Sequence, residues 1–468
     1  MKNQKHALSL LVVLALILSL IPTTFSATAA EPEEIVLKTF TDNLATSSTV
    51  KAHTVVLSEP GRVYLSFNHA NLNDSHTYWF VTMRDSDNYT VLDLSSAGNV
   101  VDTNSYVNYL RPGTYTVEIK ANTPYMQTNY YSNANYTLTV NFTENTGQFE
   151  TEYNNTKEES NGMSENKAIT GNLYKSDDVD FYKLTLDKPG KMTLNFKHAN
   201  LNDNHIYWFV TMRDNDNYTV LDLSSAGNVT DTNSYINYLR PGTYTVEIKA
   251  NTPYMQTNYH SRADYTLSIN FTENTGQFET EHNNTKEKAN EMSKNKEMTG
   301  NLYKSDDVDF YKFTLDKPGK VTLNFKHANF NDSHTYWFVT MRDNNNYTVL
   351  NLSSAGNVVD TNSNSNYLSP GTYTIEIKAN TPYMQTNYHS RADYTLTVNI
   401  STSALGDVNG DDKVDALDAS LVLQHDAGLV TLKDDALAAA DVNGDKKIDA
   451  LDASLILQFD AGLISKFK

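Results

Sequence analysis

Along most of this chain apolar and polar residues take turns. Tyr115, Val117 and Ile119 alternate with Thr114, Thr116, Glu118 and Lys120, and Val321, Leu323 and Phe325 alternate with Thr322, Asn324 and Lys326. Tyr136, Leu138, Val140 and Phe142 follow the same rule. A period of two places the apolar set on one face of a β-strand. Pro112-Gly113, Pro189-Gly190 and Pro318-Gly319 stand just before such runs, where tight turns are expected. Short strands with frequent turns predict β-sandwiches. The run around Trp79 is apolar on both faces, which predicts a central strand.

The pattern repeats at domain scale. Tyr78-Trp79-Phe80-Val81-Thr82-Met83-Arg84-Asp85 returns at Tyr207–Asp214 and Tyr336–Asp343, and Trp79, Trp208 and Trp337 are each 129 residues apart (208 − 79 = 129; 337 − 208 = 129). The reading is three tandem copies of one fold, at residues 31–146, 147–275 and 276–402, followed by a different segment at 403–468. Copies two and three open with near-identical acidic stretches: Glu150, Glu152 and Asn155, then Asp177 and Asp180; and Glu279, Glu281 and Asn284, then Asp306 and Asp309. The aligned stretch of copy one, Ser48 to His53, has no carboxylate.

The last segment changes chemistry. Two twelve-residue loops begin at Asp407 and Asp441, 34 residues apart (441 − 407 = 34). The first offers Asp407, Asn409, Asp411, Asp415 and Asp418, the second Asp441, Asn443, Asp445, Asp449 and Asp452, at loop positions 1, 3, 5, 9 and 12. Lys413 and Lys447, at position 7, bring only backbone carbonyls. Oxygens at alternating positions let a chain wrap one calcium ion. Position 6 favours positive φ and glycine, yet holds Asp412 and Lys446, so the second loop is expected to bind more weakly. Each loop runs into a helix that stops at Gly428 or Gly462. With no disulfide and a thin core, this segment is expected to need its metal to fold.

These loops and matched helices resemble a type I dockerin of cellulosome-type systems, built from two half EF-hands. The resemblance implies two calcium ions and docking to a cohesin domain on a scaffold or cell surface. Partner choice in that family implies Ala416, Leu417, Leu423 and Gln424, and in the second half Ala450, Leu451, Leu457 and Gln458. Because both halves carry the same letters, either half is expected to dock. The acidic opening of copies two and three, with Gly171-Asn-Leu, Asp-Val-Asp-Phe-Tyr and Pro-Gly-x-Tyr, resembles the bacterial pre-peptidase C-terminal domain and the collagen-binding domain of clostridial collagenases. Copy one resembles it only through its later strands. That resemblance implies a jelly-roll-like β-sandwich and one calcium ion in each of copies two and three, held by Glu150, Glu152, Asn155, Asp177 and Asp180 and by Glu279, Glu281, Asn284, Asp306 and Asp309; carboxylate clusters on separate strands would repel without a cation between them, and oxygen ligands suit calcium. The fold class expected is therefore multidomain and mainly β, with a small α-helical module at the end.

Composition narrows the function. A net charge of −19 excludes nucleic acid as a natural partner. Lys2, Lys5 and His6, the apolar run Leu8–Ile21 and Ala27-Thr28-Ala29 read as a secretory signal over residues 1–30, with no membrane span after its removal. The absence of cysteine rules out disulfides and thiol chemistry. His69, Asp74 and His76, repeated as His198, Asp203, His205 and His327, Asp332, His334, match no metal motif and read as a hydrogen-bonded loop. Tyr125-Met126, Tyr130 and Tyr131, kept as Tyr254-Met255 and Tyr383-Met384, are either sugar- or protein-binding aromatics or buried packing. No nucleophile elbow, metalloprotease helix or phosphate loop occurs. The expectation is a secreted non-catalytic accessory component whose repeats bind or space, with polysaccharide or extracellular protein as their ligands. A dockerin-bearing hydrolase of polysaccharide or protein, and a protease inhibitor or propeptide-like partner, stand as alternatives.

Overall fold

The computed structural model describes residues 34–122, 133–144, 147–174, 177–251, 263–304, 306–317, 319–380, 391–401, 404–411 and 413–467. The expected signal segment, the Tyr-Met clusters at 125, 254 and 383, and Asp412 lie outside them. The chain divides into two compact units, Met1–Ser105 with Pro112–Thr146, and Tyr106–Arg111 with Gly147–Lys468.

The alternating runs form strands, and each copy stacks two sheets. In copy two one sheet orders Asn161–Gly162, Val179–Leu186, Gly242–Ala250, Ile206–Arg213 and Thr219–Ala226. The other orders Gln148–Phe149, Ala168–Gly171, Tyr265–Glu273, Gly190–His198 and Asp231–Asn233. Their inward residues meet in one core: Leu184, Trp208, Val210, Val246 and Ile248 from the first sheet, Met192, Leu194, Phe196, Leu267 and Ile269 from the second. Copy three repeats both orders, except that its second sheet starts at Met298–Gly300. Copy one has four-strand paths in both sheets and opens with a long strand, Glu34–Asp42, paired to Tyr136–Glu144.

The tryptophan strand is interior, between Gly113–Ala121 and Thr90–Ala97 in copy one. Tyr78 and Trp79 are both buried although adjacent. The register slips between Thr77 and Trp79, and this bulge turns two consecutive side chains inward. Copies two and three repeat the slip. Removing so large a buried ring costs about 3–5 kcal/mol.

The last segment is helical: α1 (Ala416–Asp426), α2 (Asp434–Ala440) and α3 (Ala450–Asp460). Asp415 and Asp449 cap α1 and α3 through reciprocal capping boxes with Asp418 and Asp452. Gly428 (φ +69°) and Gly462 (φ +68°) end these helices in the left-handed region. The small core holds Val408, Ala419, Val422, Leu432, Ala440, Val442, Ala453 and Ile456. Phe467 stacks on Phe459 at 4.8 Å. No helix among the described residues is long and apolar enough to cross a membrane.

Candidate functional site

Strand Val179–Leu186 turns Asp180 and Tyr182 inward, and Asp178 shares their face just before it. Glu150 and Glu152 arrive on the neighbouring segment. Glu152, Asp178 and Asp180 bring carboxylate oxygens within 4.8 Å of one another, and Glu279, Glu281 and Asp309 do the same in copy three. All of these side chains are buried. Glu150 accepts from the Asn172 N–H (2.6 Å) and the Tyr182 hydroxyl (3.0 Å), and Asp180 accepts from the Tyr265 hydroxyl (2.5 Å). Copy three matches this with Asn301 N–H to Glu279 (2.7 Å), Tyr311 to Glu279 (2.9 Å) and Tyr394 to Asp309 (2.5 Å). A Cβ on Gly171 would lie 2.4 Å from Glu150 Oε2, so only glycine lets the carboxylate approach this closely.

The sequence reading placed Asp177 and Asp306 in the clusters. The structure instead brings in Asp178 and Asp307, while Asp177 and Asp306 are exposed, because successive strand residues point to opposite faces. Asn155 and Asn284 are adjacent, each donating to that aspartate at 2.8 and 2.6 Å. Sequence reasoning missed Asn154, Asn172, Tyr182 and Tyr265 and their counterparts Asn283, Asn301, Tyr311 and Tyr394.

Electrostatically the clusters are unbalanced. Burial pushes the carboxyls of Glu150, Glu152, Asp178 and Asp180 above their ordinary range, and mutual repulsion pushes Glu150, Glu152 and Asp180 further. Glu279, Glu281, Asp307 and Asp309 shift the same way. Buried oxygens of Asn154, Asn155, Asn172 and Asp180, and of Glu281, Asn283, Asn284, Asn301 and Asp309, have no hydrogen-bond partner. Buried acceptors normally find donors. An all-oxygen set with unpartnered acceptors suits a hard divalent cation such as calcium.

Copy one solves the charge problem differently. Lys51 pairs with Ile119 across the sheet, as Asp180 pairs with Ile248 and Asp309 with Ile377. A lysine thus fills the strand position of the cluster aspartate. Its Nζ lies 2.8 Å from Asp42. His53 replaces Tyr182 in the same register and stacks on Phe40 at 4.0 Å.

The repeated histidines serve the fold. His69 Nδ1 meets the Ala70 carbonyl (2.8 Å), so it donates there, and Nε2 accepts from Ser96 Oγ (3.0 Å), with the ring against Trp79. Asp74 binds the His76 N–H and ring and the Tyr78 hydroxyl, which together hold its carboxyl down at about 2. No histidine joins a metal-type group among the described residues.

In the helical module each loop folds its oxygens inward onto its own backbone. Asp407 accepts from the Gly410 and Asp411 N–H groups (2.8 and 3.1 Å), and Asn409 from Asp411 (2.9 Å). Asp411 accepts from Lys413 (3.0 Å), and Asp418 from Val408 and Asn409 (2.7 and 2.8 Å). Asp441, Asn443, Asp445 and Asp452 repeat the scheme with Gly444, Asp445, Lys447 and Val442. Asp415 and Asp449 cap the helices. Lys446 takes φ +66°, the strained value expected at that position.

Beside the loops lie two matching apolar faces. Leu417 and Leu451 are 63% and 56% exposed, Leu423 and Leu457 44% and 43%. Ala416 and Ala450 are exposed with them, and Gln424 and Gln458 each donate to a serine one turn earlier. Leu429 and Leu463, just past the helix-ending glycines, add to each face. The halves differ at His425, which accepts from Leu432 N–H at 3.2 Å, where the second half has Phe459.

Paired loops, matched helices and duplicated leucine faces define a docking module. Residues 405–459 match the Dockerin type I domain, a family whose members bind calcium and cohesin domains. Among solved structures, the segment is similar to the ScaB dockerin of Acetivibrio cellulolyticus in complex with the third cohesin of ScaC, at 31% identity over 14% of this chain and 92% of that one (TM-score 0.14). A Cel5 dockerin bound to the sixth cohesin of scaffoldin B, from the same organism, matches at 32% identity over 14% and 97% (TM-score 0.13). The pre-peptidase C-terminal domain of a Bacillus anthracis collagenase matches at 16% identity over 24% of this chain and 93% of that one (TM-score 0.19). No curated protein matches the chain.

Proposed function

We propose that this protein is a secreted, non-catalytic accessory component that docks through a calcium-loaded dockerin onto a cohesin-bearing scaffold. Its three β-sandwich copies act as binding or spacer units. The observation that carries this reading is the duplicated leucine face beside two oxygen-lined loops. An apolar patch repeated by internal symmetry is surface the fold does not need and a partner can cover. Two calcium ions would be held by Asp407, Asn409, Asp411, Asp415 and Asp418 and by Asp441, Asn443, Asp445, Asp449 and Asp452, with the Lys413 and Lys447 carbonyls. An ion in each loop neutralises carboxylates that otherwise crowd the helix N-termini. One further calcium ion in each of copies two and three would neutralise the buried clusters.

Because the faces match, either half can engage the cohesin. Two equivalent modes double the association constant, so disabling one costs only about 0.4 kcal/mol (RT ln 2). The test captures scaffold proteins on the immobilised chain, with calcium and with chelator, and compares Leu417→Asp, Leu451→Asp and the double variant by calorimetry against the captured cohesin. Expected are calcium-dependent capture, about twofold weakening in each single variant, and loss of binding in the double. Capture that ignores calcium, or collapse in either single variant, overturns the reading.

A further inference from the structure

The walls of copy three's carboxylate cluster are fastened from outside copy three. One wall is the segment Glu279–Asn284. Its backbone is gripped by copy two: the Glu281 N–H donates to the Tyr238 carbonyl (3.0 Å), and the Arg240 guanidinium donates through Nε to the Glu281 carbonyl (2.6 Å) and through Nη2 to that of His282 (2.9 Å). The His282 ring packs against Tyr218, tilted by 42° with centroids 4.1 Å apart, and its Nδ1 lies 3.5 Å from Asp214. The other wall carries Asp307, which accepts from the Tyr303 N–H (2.8 Å). Tyr303 in turn donates its hydroxyl to Asp222 of copy two (2.8 Å). A cavity of about 270 Å³ lies between the copies here, lined by Tyr218, Asn237, Glu281, Asn284, Tyr303 and Asp307. The buried, unpartnered Asn283 and Asn284 side-chain oxygens belong to the gripped segment.

The repeat pattern marks the same two holding residues. Copies one and two have Arg111 and Arg240 at corresponding positions, and Asp93 and Asp222. The last copy, with no repeat after it, has Ser369 and Asn351 instead. Neighbouring positions in the three copies are nearly unchanged, so the loss falls where a following repeat is no longer held.

We propose that Arg240 and Asp222 are positioning residues for the cation site of copy three, which makes ion binding there and docking of copies two and three one linked event. The proposal rests on the calcium reading above. Arg240 holds the peptide bearing Glu281, and Asp222 holds the residue whose N–H orients Asp307, so undocking frees both walls. Linkage is reciprocal: docking tightens ion binding by the factor by which the ion tightens docking.

The chain lacks cysteine, so Lys167→Cys and Lys296→Cys, at equivalent exposed positions of the two copies, accept spin labels without background. The inter-label distance distribution of the full chain is measured during a calcium titration, with calcium uptake followed by calorimetry. The expected result is a distribution that narrows with calcium, does so in Asp180→Asn, and does not in Asp309→Asn. In Arg240→Gln the narrowing should need on the order of tenfold more calcium, with Arg240→Lys restoring part of the shift. Uptake that Asp309→Asn abolishes, but with no narrowing in the parent or no shift in Arg240→Gln, overturns the linkage alone. Uptake unchanged in Asp309→Asn overturns the calcium reading and the linkage with it.

Discussion

Replacing Asp180 with asparagine should stabilise copy two without calcium and destabilise it with calcium. Asp180 is fully buried and lies within 4.8 Å of the Glu152 and Asp178 oxygens. Two full charges at 4.8 Å repel by about 3.5 kcal/mol at an effective dielectric of about 20. Removing one of three charges would relieve about 7 kcal/mol if all were ionised. Burial and repulsion raise their proton affinities, so the relief in the ion-free fold is smaller than this full-charge figure. Relief of about a third of that repulsion is worth about 2 kcal/mol. Asparagine keeps the shape and an oxygen facing Tyr265. With calcium the ledger reverses. An ion at about a hundred times its dissociation constant contributes about 2.7 kcal/mol, most of which goes with the lost charge.

Scanning calorimetry of the full chain in chelator and in calcium reads both arms. For a domain of this size the transition should rise by several degrees in chelator and fall by several degrees in calcium. A shift of the same sign in both conditions would refute the charge argument, since a purely steric effect ignores the ion.

Two further outcomes follow from the same structure. In chelator, the raised folded-state pKa values mean that the folded clusters hold protons the unfolded chain has released, so their contribution is full below about pH 4 and is lost as pH rises through the folded values; the melting temperature of copies two and three should fall as pH rises above the ordinary carboxylate range, and a rising curve would contradict it. Lys446→Gly should remove about 1 kcal/mol of left-handed strain and tighten the second dockerin loop about fivefold in a calcium titration, with unchanged affinity counting against strain at that turn.

Much of this architecture was readable from residue order, and the misses have physical causes. Strict alternation located the strands, because a half-buried strand leaves little choice of period. The bulge before Trp79 was not readable: adjacent buried Tyr78 and Trp79 look like a strand buried on both faces until the register slip is seen. Carried one residue before strand Val179–Leu186, the same period of two selects Asp178 and not Asp177. Residues 178, 180 and 182 share a face, so the rule would have delivered Asp178 and Tyr182 together. Tyr265 and Asn172 carried no such signal, since their approach to Asp180 and Glu150 depends on pairings across the whole repeat. In the dockerin, oxygen spacing, caps and glycine stops are all local, and those elements were legible in the sequence.

The three copies give two answers to one electrostatic problem. Where the strands meet, copies two and three carry four buried carboxylates each, a charge no buried site tolerates alone. Copy one has removed the carboxylates and set Lys51 in the strand position of Asp180, with Asp42 as its partner. An ammonium on a flexible stem neutralises one carboxylate and needs nothing from solution, whereas a divalent ion balances several and responds to its concentration. The long strand Glu34–Asp42 takes, beside Tyr136–Glu144, the place that Ala168–Gly171 takes beside Tyr265–Glu273 in copy two. It runs antiparallel along Tyr136–Glu144 with one register shift, between Val36 and Lys38. The buried acidic clusters therefore belong to the front ends of copies two and three and not to the sandwich itself, which the first copy builds from the same later strands without them.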